Sequence, residues 1–146
     1  MSGLAAVLAG RRSPGVYLWR SNTPASEVAH AVQRARWHPL ILDGRAVTSE
    51  EQLLDAMAAT CGFPSGSGRN RDALADCLVD LSWLGPAHGF LLLYDGWGML
   101  ARTEPEAWSA ARSMFEDTCK HWAATKTPFA VLLRGPGPDD DLTELR

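Results

Sequence analysis

The run GFLLLYDGW, residues 89–97, constrains this chain most, because it sets five apolar side chains in a row, Phe90 to Tyr94. Successive strand side chains point to opposite faces, so an unbroken apolar run of this length suits a strand buried on both sides. That is the signature of a parallel sheet with helices on both faces. PFAVLLRG (128–135) repeats the pattern. HPLILDG (38–44) is a further strand closed by a turn at Asp43-Gly44, and VYLW just before Arg20 is a short candidate.

Helical patterns fill the gaps. PASEVAHAVQRARW has Thr23 as a cap, Pro24 in its first turn and Glu27 close behind, with an apolar stripe of Val28, Ala31, Val32 and Ala35. TSEEQLLDAMAATCG is capped by Thr48 or Ser49, carries Glu50 and Glu51 at its N-terminus and stops at Gly62. A third helix spans about Asn70 to Ser82. The longest, EPEAWSAARSMFEDTCKHWAATK, buries Trp108, Ala111, Phe115, Cys119 and Trp122 and leaves Glu106, Ser113, Asp117 and His121 on wetter faces. Alternating strands and helices give an α/β fold, a small parallel sheet of three to four strands covered by helices. One domain is expected over 15–135, after a flexible leader (1–14) and before a polar tail (136–146).

The chain has 146 residues, 46% of them apolar, enough for one real core, and its six tryptophans are expected to be mostly buried or half-buried. Formal net charge is −3, which argues against general nucleic-acid binding. The charge is uneven: residues 1–45 carry +4 and residues 46–146 carry −7, so the later part suits a basic partner. Cys61, Cys77 and Cys119 are odd in number and lack a C-x-x-C spacing, so they signal neither a zinc site nor a disulfide framework. Reduced thiols fit a cytoplasmic protein. LAAVLAG, from Leu4, is too short to span a membrane and has no basic segment before it, so export is not expected.

The most unusual stretch is SGSGRNRDALADCLVDLSW (65–83). Asp72, Asp76 and Asp80 follow a glycine loop at intervals of four, which puts like charges on one helical face at a cost of roughly 0.2–0.5 kcal/mol per pair. Leu74, Cys77, Leu78 and Leu81 make the buried stripe, and Ala73 and Ala75 leave room beside the carboxylates. Three readings compete. A solvated polar face explains the acids without a partner, although such faces ordinarily mix signs. A phosphate cradle lacks G-x-x-x-x-G-K-[ST], and Asp72 would repel the anion. A thiol enzyme using Cys77 or Cys119 with His121 as base conflicts with the core placement of both thiols.

GRNRDALADCL resembles the G-x-N-x-D-A-L-x-D-C-L signature of the barstar family, inhibitors of the secreted ribonuclease barnase, through Gly68, Asn70, Asp72, Ala73, Leu74, Asp76, Cys77 and Leu78. The flanking elements agree over roughly residues 38–135. The resemblance implies a barstar-like fold and a cytoplasmic inhibitor of a guanyl-specific extracellular-type ribonuclease, with no enzymatic activity, cofactor, metal, nucleic acid or membrane. It implies a partner surface of Gly68, Asn70, Asp72, Ala73, Asp76, Asp80 and Asp117. Asp76 takes the place of a substrate phosphate, and Asp117 supplies a second acid from the long helix. Gly66, Ser67, Arg71 and Ala75 stand where the family usually carries aromatics. The alternative is therefore a barstar-fold module whose partner differs or has been lost.

Overall fold

The apolar run does form a strand buried on both faces. In the computed structural model, which describes residues 2–138 and 141–146, Phe90–Asp95 is an inner strand of a five-stranded sheet in which every pair is parallel. The elements in chain order are α1 (Ser2–Leu8), β1 (Val16–Trp19), α2 (Ala25–Arg34), β2 (His38–Asp43), α3 (Glu50–Cys61), α4 (Arg71–Leu78), β3 (Phe90–Asp95), α5 (Gly98–Thr103), α6 (Pro105–Ala123), β4 (Phe129–Arg134) and β5 (Thr143–Leu145). Strand order is β2-β3-β4-β1-β5. Phe90, Leu92 and Tyr94 pack with α3, α4, α5 and α6. Leu91 and Leu93 pack with α1 and α2. The period-two alternation of the strand thus divides one apolar run between two cores.

The α/β class holds, but the sheet has five strands and not three to four. The extra strand comes from the expected polar tail: β5 pairs with β1 through Tyr17–Thr143, Leu18–Glu144 and Trp19–Leu145, and Leu145 is buried. The expected leader also folds. Residues 2–8 are helical, and Leu4 and Val7 are fully buried in the cluster that holds Leu145. A short helix and a three-residue edge strand are both stabilised by what they pack on, so neither carries a periodic pattern of its own. All six tryptophans are buried or half-buried.

Local signals explain most boundaries. Ser49 caps α3, its side chain accepting from the Gln52 amide, and Gly62 closes the helix in a left-handed conformation. Glu104 precedes Pro105, which starts α6, so the chain breaks there and α5 stands apart from α6. The expected cap of α2 is displaced. Pro24 holds the N-cap position without a side-chain bond, because Thr23 is used otherwise: its carbonyl accepts from Arg134 Nη1 at 2.6 Å and its hydroxyl accepts from Ser21. Arg134, at the end of β4, also forms a bidentate pair with Asp95 at the end of β3, at 2.5 and 2.9 Å, and lies over the Trp19 ring. One guanidinium thereby ties the exits of β1, β3 and β4 together.

Candidate functional site

The acidic helix begins where the sequence places it. Asn70 is the N-cap of α4, its Oδ1 accepting from the Ala73 amide at 2.8 Å. Asn70→Ala is expected to lower unfolding free energy by about 1 kcal/mol, the ordinary worth of an N-cap. A urea midpoint equal to that of the unsubstituted chain would contradict the capping role. Before the cap, the glycine loop lies close to the helix: a Cβ on Gly68 would stand 3.1 Å from that of Ala73. Gly66, by contrast, faces open space but holds φ at 90°, where an L side chain is strained whatever the room.

The helix ends earlier than its sequence suggests. It stops at Leu78, and Leu81 turns back with φ 54° to bury its side chain. Trp122 of α6 donates its indole N–H to the Leu78 carbonyl at 2.8 Å, satisfying one of the carbonyls a helix end leaves unpaired. Asp80 is therefore in the exit turn, where its Oδ1 accepts from the Ser82 amide at 3.3 Å. It is not the third member of a helical line with Asp72 and Asp76. Cys77, expected on the buried stripe, is half-buried, with Sγ 3.8 Å from Ser67 Oγ.

Asp72 and Asp76 remain one turn apart on α4, both exposed. An open groove of about 370 Å³ runs between α4 and α6 and brings Asp72 together with Asp117. Asp76 lies outside its lining. Ala75 of α4, Val79 just after it, and Ala110, Ser113, Met114 and Thr118 from α6 give the groove small or apolar walls. The site is thus a shallow acidic surface with carboxylates from two helices and no enclosed reaction chamber.

Helix α3 also contributes to the groove, through Glu50. Glu50, read only as a favourable N-terminal charge of α3, has its Oε2 2.5 Å from Arg71 Nε, and Arg71 lines the groove. The hydrogen bond to Glu50, then its charge and that of Glu106, raise the Arg71 pKa above its ordinary value. Arg69 pairs with Asp55 of α3 at 3.4 Å. Arg69 and Arg71 are therefore both tied to α3. No pattern in the sequence signals pairs that cross 14 and 21 residues.

The thiol-enzyme reading gains no support from the two buried thiols. Cys119 is buried and its thiol is pushed up to about 12, first by desolvation and then by Glu116, and burial drives Cys61 equally high. His121 is exposed and lies edge-on to Trp122. Among the described residues no three His, Cys, Asp or Glu side chains converge as a metal site would require, and no helix is long and apolar enough to cross a membrane.

The family model described as Barstar (barnase inhibitor) matches residues 37–134, which run from β2 to β4 and take in α4 and the groove. The α1, β1, α2 and β5 elements lie outside that match. No curated protein matches the sequence. Among solved structures, the Aeropyrum pernix ORC2 protein in ADPNP–ADP complexes superposes with a TM-score of 0.58 at 15% identity. That match covers 93% of this chain and 38% of the other, and it speaks to fold alone.

Proposed function

The chain belongs to the barstar family, and from that premise we propose that it is a protein inhibitor of a secreted, guanyl-specific type of microbial ribonuclease, acting in the cytoplasm of the producing cell. The observation that carries this reading is the groove that Asp72 of α4 and Asp117 of α6 both line, with Asp76 exposed one turn along. A ribonuclease cleft must be basic to hold RNA. Carboxylates fixed on helices that are packed against one another compete for such a cleft and draw it in at long range. The −7 charge of residues 46–146 adds to that attraction. The proposed contact surface is Gly68, Asn70, Asp72, Ala73, Asp76 and Asp117, with Asp80 at its margin.

The test is capture of the partner on the immobilised chain from the native lysate and secreted fraction, followed by a ribonuclease assay of the captured protein. Ribonuclease activity that is silent while bound and returns on release supports the reading. Captured protein without such activity contradicts it.

A further expectation concerns contact area. Ala75 lines the groove in a helical conformation that accepts any side chain, whereas Gly66 does not. Ala75→Trp is expected to tighten ribonuclease binding by about 1–2 kcal/mol, since buried aromatics are typical interface anchors. Weaker binding by titration would mean that the groove accommodates a partner of another shape.

The second reading, a module with a different partner, draws on Arg69 and Arg71, which place cations around an otherwise acidic face. A nucleotide-binding reading drawn from the ORC2 neighbour gains no such support. Open α/β sheets take ligands at their carboxyl edge. There Arg134 is already engaged by Asp95 and by the carbonyls of Ser21 and Thr23.

A further inference from the structure

We infer that Arg71, held by Glu50, is an internal counter-ion that decides which basic partner the acidic groove accepts; the inference rests on the inhibitor reading above. Arg71 is the first residue of α4, where the helix macrodipole disfavours a cation. Helix formation therefore does not account for an arginine there. The surroundings hold it in place. The Glu50 backbone amide donates to Glu104 Oε1 at 2.9 Å, fixing the start of α3 beside the start of α6, and from that position the Glu50 carboxylate reaches Arg71 Nε. Glu106 adds a second attraction. The guanidinium so held lines the same groove as Asp72 and Asp117.

Two consequences follow for an incoming cleft. Glu50 is neutralised within the chain and offers it little. Arg71, the more exposed member of the pair, disfavours a lysine or arginine placed opposite it, and like charges juxtaposed at an interface help to exclude wrong partners. The groove thus selects a basic cleft that carries a carboxylate where it meets Arg71, so that the guanidinium is paired on both sides. A cleft that is basic throughout is disfavoured. Arg69 provides the internal control, because it carries the same charge but pairs with Asp55 and lies outside the groove lining.

The test titrates barnase, as a defined ribonuclease probe, against the unsubstituted chain, Arg71→Ala and Arg69→Ala, with thermal unfolding of each to confirm the fold. Arg71→Ala is expected to bind barnase about tenfold more tightly than the unsubstituted chain, with the gap narrowing as salt rises, and Arg69→Ala to change binding less than about threefold. Three results overturn the inference: Arg71→Ala binds no more tightly, Arg69→Ala gains as much, or neither the unsubstituted chain nor Arg71→Ala binds. If Arg71→Ala gains nothing while a captured ribonuclease is still inhibited, only the inference fails. If no ribonuclease is captured at all, the inhibitor reading fails separately.

Discussion

Replacing Asp76 by alanine is expected to weaken ribonuclease binding by about 2 kcal/mol or more, roughly thirtyfold in Kd, and to leave the fold intact. Asp76 is exposed on α4, and among the described residues it makes no hydrogen bond or ion pair that its loss would break. Surface changes of this kind alter stability by about 0.5 kcal/mol at most. Its position matches the acid that the barstar resemblance sets in a phosphate's place. Asp80→Ala is the comparison. Asp80 sits in the exit turn with its carboxylate turned to the Ser82 amide, and its removal is expected to cost less than about threefold in Kd. Titration calorimetry of both variants against the captured enzyme decides the point. Equal losses would show that Asp76 is not the central acid of the contact.

The second large effect is on stability and lies away from the groove. Asp95→Ala is expected to cost about 3 kcal/mol, because it leaves the Arg134 guanidinium with 12% of its side chain exposed and no carboxylate to pair with. The same guanidinium holds the carbonyls of Ser21 and Thr23, so the exit of β1 loosens as well. A urea-unfolding midpoint that falls by the equivalent of less than about 1 kcal/mol would mean that the pair is sufficiently solvated to be dispensable.

These two residues also mark where the sequence is legible. The place of Asp76 on α4 is legible because it belongs to a local motif, Gly68 to Leu78, whose spacing survives in one helix and its cap. The strands β3 and β4 are readable because burial on both faces makes five successive positions of each apolar, and the half-buried edge strand β2 because its apolar run ends at the Asp43-Gly44 turn. The helices α3 and α6 were readable because their apolar stripes repeat at helical spacing between recognisable ends. The pair of Asp95 and Arg134 spans 39 residues and leaves no such trace. The same holds for Arg71 with Glu50, which converts an apparent loss of an aromatic into a charged feature of the groove. Short elements fail for a related reason. β5 is three residues long and α5 six, and each is specified by what it packs on. Asp80 was misplaced because the sequence spacing continues while Leu81 leaves the helix to reach the core.

The measurement that bears most directly on the central claim is RNA cleavage by the captured ribonuclease, titrated with this chain and with Asp76→Ala. Activity is expected to fall to zero near one equivalent of the unsubstituted chain, and Asp76→Ala to require roughly thirtyfold more to reach half inhibition under dilute conditions. Full cleavage activity at saturating concentrations of the unsubstituted chain, or inhibition that is indifferent to Asp76, would contradict it.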